Sequence, residues 1–172
     1  RAISFCKNSG TYNLFDYVGA GVSTCGAWIG PEGVAVSGVL NTATDNGGLY
    51  TYNTNCPGGC PQDQAVLTVT LVNPANAGQD VSTALCSNAP PAALTNLVSG
   101  GDITGIFFLN GQPFQLSALS TPGTYTPSYV VFANQPCTND TANFSITVNA
   151  PPNAGTSTTA TVCVNAPAQQ LL

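Results

Sequence analysis

Asn76-Ala77-Gly78-Gln79-Asp80-Val81-Ser82-Thr83-Ala84-Leu85-Cys86-Ser87-Asn88-Ala89-Pro90 returns 77 positions later as Asn153-Ala154-Gly155-Thr156-Ser157-Thr158-Thr159-Ala160-Thr161-Val162-Cys163-Val164-Asn165-Ala166-Pro167. Seven of the fifteen positions are identical, and Val162 stands in for Leu85. Self-similarity at a fixed displacement marks an array, and 77 residues is the size of a small domain.

The displacement holds at the other end of the unit. Cys60-Pro61-Gln62-Asp63-Gln64-Ala65 aligns with Cys137-Thr138-Asn139-Asp140-Thr141-Ala142, and Leu67, Val69 and Leu71 fall on Phe144, Ile146 and Val148. Apolar and small polar residues alternate there in the same phase, the period of a half-buried strand. Cys6 precedes Cys86 by 80 residues rather than 77, a difference that a surface loop absorbs. These alignments divide the chain into repeats at 1–74 and 75–152 and the opening of a third at 153–172.

Strands are expected at 2–6, 34–36 and 49–52 in the first repeat, with the β-prone aromatics Tyr12, Phe15 and Tyr17, and Leu14 among them, as core and cross-strand residues of 11–18. In the second they are expected at 82–86, 94–98, 103–109, 124–132 and 142–148, separated by Gly, Pro and Asn clusters. Many short strands without helical periodicity predict an all-β fold of tandem, immunoglobulin-like β-sandwiches. Pro74 and Pro151-Pro152 stiffen the junctions, so the expected arrangement is extended.

The 172-residue chain has two basic residues, Arg1 and Lys7, against seven acidic ones, for a net charge of −5. No cationic surface is available to displace counterions from phosphate, which argues against nucleic acid and against anionic membrane surfaces. No run of 18 apolar residues would span a bilayer. Seven cysteines accompany no histidine. Their spacing lacks the paired CxxC of a zinc site, so disulfides and an oxidising, extracellular compartment are expected. Four cysteines in the first repeat allow three pairings. The repeat alignment favours Cys6 with Cys60, a bridge shared by both copies, and Cys25 with Cys56, private to the first. Cys86 with Cys137 is then the bridge of the second repeat, and Cys163 requires a partner outside the segment. An apolar opening strand at 159–164 with an odd cysteine implies that the polypeptide continues, or that residues 153–172 donate a strand to a neighbour.

Catalysis has little to work with. Without histidine there is no Ser-His or Cys-His couple, and Glu32 is the sole glutamate. Paired-carboxylate chemistry would need two of Asp16, Asp45, Asp63, Asp80 and Asp102 to converge, which their spacing does not suggest. Calcium ligation at Asp45-Asn46 or Asn139-Asp140 competes with the plainer reading that these are turn residues bonding their own backbone. No cofactor is expected. Trp28, Tyr50 and Tyr52 are either core aromatics or a carbohydrate-stacking platform.

The ordered motifs Asn-Ala-Gly, Val/Leu-Cys-x-Asn, Gly123-Thr124-Tyr125-Thr126 and Cys137-x-Asn-Asp-x-Ala resemble the immunoglobulin-like repeats of very large cell-surface adhesins of Bacteroidetes. These include gliding-motility adhesins of the SprB kind exported by type 9 secretion. Gly26-Ala27-Trp28 is similar to the Gly-x-Trp of such repeats, whereas the second copy reads Asp102-Ile103-Thr104 after Gly101. The resemblance implies a structural or adhesive surface fibre whose partners are neighbouring copies of the repeat and surface glycans, with no catalytic residue. Asp140-Thr141-Ala142 also resembles the O-glycan acceptor pattern of that phylum, which marks Thr141. Asn139-Asp140-Thr141 and Asn143-Phe144-Ser145 fit the N-linked pattern. The rival functions are a self-polymerising, pilin-like subunit using residues 153–172 for strand donation, and a carbohydrate-binding module.

Overall fold

Residues 64–72, Gln-Ala-Val-Leu-Thr-Val-Thr-Leu-Val, turn Leu67 and Val69 inward and Val66, Thr68 and Thr70 outward, so one face of the strand is core and the other is solvated. Residues 140–149 do the same with Ala142, Phe144, Ile146 and Val148. Around these two strands the chain builds two sandwiches. The computed structural model describes residues 1–57, 61–88, 94–115, 119–157, 159, 161, 163–165 and 167.

In the first module the strands are β1 (Ala2–Cys6), β2 (Thr11–Asn13), β3 (Ala27–Ile29), β4 (Ala35–Val36), β5 (Val39–Asn41), β6 (Gly48–Asn53) and β7 (Gln64–Val72). The main sheet runs β1-β7-β6-β3-β4, and β2 pairs with β5 opposite it. β1 lies parallel to β7, with Cys6 opposite Val72; the other pairs are antiparallel. Buried Thr42 ties the small sheet across, its hydroxyl donating to the Gly10 carbonyl at 2.9 Å and accepting the Gly10 amide at 3.0 Å.

The second module repeats the main sheet with β8 (Val81–Cys86), β9 (Ile106–Leu109), β10 (Gln112–Pro113), β11 (Gly123–Tyr125), β12 (Ser128–Val131) and β13 (Asp140–Asn149), and has no counterpart of the β2-β5 pair among the described residues. β8 is parallel to β13, while β11 and β12 both pair antiparallel with β13 and β9 and β10 continue the sheet. β11 and β12 correspond to a single β6, interrupted at Thr126-Pro127. Proline cannot donate to a ladder, although its carbonyl still accepts the Phe144 amide at 2.9 Å. A first strand parallel to the last, followed in order by the strands that pair with it, is the front sheet of an immunoglobulin-like sandwich. The fold is all-β, with only short 3₁₀ turns at Leu14–Tyr17 and Leu94–Leu97 among the described residues.

Two hydrophobic clusters result. One gathers Phe5, Leu14, Trp28, Leu40, Tyr50, Tyr52, Leu67 and Val69. The other gathers Ala77, Leu94, Phe107, Leu119, Tyr129, Val131, Ala142, Phe144, Ile146 and Val148. Each draws on its own half of the chain.

Several strand expectations change. Within the strand expected at 94–98, Leu94–Leu97 make a 3₁₀ turn that buries Leu94, just as Leu14–Tyr17 do with Leu14. The side chain of Asn13 accepts the Phe15 amide and caps the turn at Leu14–Tyr17, so the β-prone stretch 11–18 is strand only over Thr11–Asn13. Thr159, Thr161, Cys163 and Val164 are exposed and outside any strand; the rest of the expected strand at 159–164 lies outside the described residues.

Candidate functional site

The site is the junction between the modules, and it forms from the ends of strands. β1 ends at Cys6 beside Val72, the last residue of β7, and the Lys7 amide donates to the Val72 carbonyl at 2.8 Å. From Val72 the chain passes through Asn73-Pro74-Ala75 into the second module. Over this exit hangs the loop between β12 and β13. It is closed by the Ala133 amide donating to Asn139 Oδ1 at 2.9 Å and by the Cys137 amide donating to the Asn134 carbonyl at 3.0 Å. Cys137 is buried, its sulfur 3.4 Å from the Val72 carbonyl oxygen, and it is disulfide-bonded to Cys6 with the Cα atoms 4.9 Å apart. That separation suits an unforced bridge.

The bridge therefore crosses between modules, and the expected pairings of Cys6 with Cys60 and of Cys86 with Cys137 are corrected. Strand sense is the physical reason. Because β1 is parallel to β7, Cys6 lies at the far end of β7 from Gln64, roughly 25 Å away at about 3.3 Å per residue. Cys60 precedes Gln64 by four residues, too few to bring it back within the ~7 Å that a disulfide requires. Cys60 itself lies outside the described residues. Likewise Cys86 faces Asn149 at the end of β13, whereas Cys137 stands before Asp140 at its start. Cys25 is joined to Cys56, with Cα atoms 5.1 Å apart, and Cys86 and Cys163 carry free thiols.

The start of the second module is held by a polar lattice of its own. Asn76 folds into a turn in which its Oδ1 accepts the Gly78 amide at 3.0 Å and its Nδ2 donates to the Gly100 carbonyl at 2.9 Å. Gly78 has φ +83°, and a Cβ there would lie 2.5 Å from the Ser99 carbonyl oxygen, which explains the glycine. Buried Ala77 donates its amide to Asp140 Oδ2 at 2.7 Å, tying this turn to the first residue of β13. The motifs at the two ends of the repeat, Asn-Ala-Gly and Asn-Asp-x-Ala, are thus two sides of one contact.

Asp45, a candidate cation ligand, and three of the aspartates considered for paired-carboxylate chemistry are engaged in the same way. Asp45 Oδ2 accepts the Asn41 amide at 2.7 Å, Asp80 Oδ1 the Asn143 amide at 2.7 Å, and Asp63 Oδ1 the Gln64 amide at 2.8 Å. Asp102 Oδ2 accepts the Asn76 amide at 3.1 Å. Each carboxylate caps backbone. Among the described residues no group of three His, Cys, Asp or Glu side chains could hold a metal ion. A cleft beside Cys56, lined by Val18, Val22, Ser23, Thr54 and Ala65, presents one carboxylate, Asp63.

The aromatic platform is also corrected. Trp28, Tyr50 and Tyr52 are 2%, 3% and 1% exposed and belong to the first core, so no sugar ring can stack on them. Tyr50 donates to the Asn46 carbonyl at 2.7 Å and Tyr125 to the Thr121 carbonyl at 3.0 Å. Each Gly-x-Tyr is a tyrosine folded back over the corner that opens its strand, a feature of immunoglobulin-like sandwiches. Burial raises the Tyr50 pKa, with smaller contributions from the charges of Asp45 and Glu32. Thr141 is exposed on β13, across from Val130. Asn139 and Asn143 are exposed as well.

Sequence reading misplaces one shared motif. The Gly26 amide donates to the Tyr52 hydroxyl at 2.8 Å, and that hydroxyl donates to the Ser23 carbonyl at 2.7 Å. Gly105, Tyr129 and Asp102 make the same pair of bonds at 2.8 and 2.6 Å. Gly105-Ile106-Phe107 is therefore the counterpart of Gly26-Ala27-Trp28, displaced by 79 positions, and the glycine-aromatic motif is common to both modules. The displacement falls from 80 at Cys6 and Leu14 to 79 here and 77 at β7, one loop at a time.

A pair of tandem, disulfide-linked immunoglobulin-like sandwiches is the class of protein that this geometry defines. No family model matches the chain, and no curated protein does. Among solved structures it is similar to the three immunoglobulin domains I67–I69 of titin in a Glu-to-Ala variant, at 11% identity and a TM-score of 0.42, covering 87% of this chain and 64% of that one. It is also similar to immunoglobulin domains 1–4 of Sidekick-1, at 11% identity and a TM-score of 0.38, covering 85% of this chain and 46% of that one. The chain thus spans less than two thirds of the length of each of these structures. No helix among the described residues is long and apolar enough to cross a membrane.

Proposed function

We propose that the chain is a load-bearing segment of an extracellular cell-surface fibre, built from tandem units at 1–74 and 75–152 and serving a structural or adhesive role. The observation that carries this reading is the Cys6–Cys137 bridge. It ties the first strand of one module to the loop before the last strand of the next, so tension entering along β1 passes straight into β13. Residues 7–136 stand outside that path. The resemblance to SprB-like adhesins of Bacteroidetes supports the same reading, as do the uncharged Asn-, Thr- and Ser-rich surface and the requirement of the disulfides for an oxidising compartment. Neighbouring copies of the module are the partners this reading names. Antibodies raised against the folded chain should label intact, unpermeabilised cells of its source along extended surface structures. Labelling seen only after lysis would overturn the reading.

A further inference from the structure

Cys86 occupies the place in the second module that Cys6 occupies in the first. Each is the last residue of a strand parallel to the final strand of its module, and each faces that strand's last residue, Val72 for Cys6 and Asn149 for Cys86. The next amide bonds that residue's carbonyl in both, Lys7 to Val72 at 2.8 Å and Ser87 to Asn149 at 2.9 Å. The one difference is the sulfur. Cys6 is bridged to the loop of the following module, whereas Cys86 is a half-buried free thiol.

The exit from the second module also repeats the exit from the first. Beyond Asn149 the chain runs through Pro151-Pro152 to Asn153, whose Oδ1 accepts the Gly155 amide at 2.8 Å, with Gly155 at φ +80°. Asn76 and Gly78 do the same at 3.0 Å and +83°. A third copy of the module continuing from this turn along the same path would set its loop over Asn149, as the loop of the second is set over Val72.

We propose that Cys86 is a covalent docking site for a following copy of the module, forming a disulfide with that copy's equivalent of Cys137. Consecutive modules are then stapled in series, and Cys163, the counterpart of Cys86 in the sequence, is the next such site. The proposal rests on the tandem-fibre reading and adds its covalent connectivity. Bond formation removes one proton and one electron from each thiol. A disulfide oxidant takes up the two electrons by exchange: the Cys86 thiolate attacks it and releases one thiol, and the second cysteine displaces the other.

The test extends the full chain by inserting residues 76–152 a second time after Pro152. In the inserted copy Cys86 is replaced by serine, and Thr138→Ser serves as a mass tag beside its Cys137. After oxidation with glutathione disulfide, non-reducing peptide mapping should join Cys86 to the tagged peptide while Cys6 stays joined to the untagged Cys137. Alkylated, unbridged Cys86 alongside an intact Cys6–Cys137 bond would overturn the proposal, as would Cys86 joined to the untagged Cys137. A second measurement needs no extension: in the original chain with Cys60→Ser and Cys163→Ser, Cys86 should react fully with a bulky thiol reagent under native conditions. If it reacts only in denaturant, it is closed to any following module and the proposal fails. Either failure leaves the surface labelling that tests the fibre reading unaffected.

Discussion

Gly26 and Gly105 are glycines because a tyrosine ring and a strand carbonyl leave no room for a side chain. A Cβ on Gly105 would sit 2.6 Å from both the Tyr129 ring and the Val130 carbonyl oxygen, and on Gly26 it would fall on the Asn53 carbonyl. Gly105→Ala must push Tyr129 aside. That strains the core and loosens the hydroxyl that serves the Gly105 amide and the Asp102 carbonyl. A loss of about 2–4 kcal/mol is expected from overpacking and a weakened buried hydrogen bond, measured as a lower urea midpoint. An unchanged midpoint would contradict the packing described. Tyr50 makes a pH prediction. Its pKa is raised by burial, and further by Asp45 and Glu32, so the folded state holds the phenolic proton more tightly than the unfolded chain does. This contribution is complete below the ordinary tyrosine value of about 10 and is lost as pH rises through the raised folded value. Stability should fall in that alkaline range, and Tyr50→Phe should lessen the fall. Equal alkaline slopes for the two proteins would refute the assignment.

β7 and β13 are legible in the sequence because one face of each is core and the other is wet, and β1 and β8 because they repeat. The shorter elements are less so. Residues 94–98 carry strand-like apolar residues, yet Leu94 reaches the core from a 3₁₀ turn; what it needs is burial, and a turn supplies that as well as a strand. The strand expected at 124–132 is cut by Pro127, and the one expected at 103–109 begins only at Ile106, after the close approach at Gly105. The partner of Cys6 was not legible from spacing, nor was that of Cys137, because aligning the repeats invites a shared bridge inside each copy, whereas Cys25 and Cys56, which have no counterparts in the second copy, are joined as that alignment has them. The missing information was strand sense: with the first strand parallel to the last, Cys86 and Cys137 of the second copy stand at opposite ends of β13. The Gly26–Tyr52 and Gly105–Tyr129 pairs could have been found by scanning for Gly-x-aromatic at displacements other than 77.

At the scale of the whole molecule, two separate cores are joined by a three-residue link and one cystine. Closing a loop of this length contributes about 5 kcal/mol in the chain-entropy model. Its larger consequence is mechanical. With Cys6 and Cys137 bonded, the 131-residue separation between them cannot lengthen under tension. Cys25–Cys56 lies wholly inside that protected loop. Single-molecule pulling from the two termini tests this most directly. The account predicts that the oxidised chain extends only through its terminal segments, and that reduction releases about 450 Å of additional contour length at about 3.5 Å per residue. Unfolding of either module between residues 7 and 136 while the disulfides are intact would contradict it.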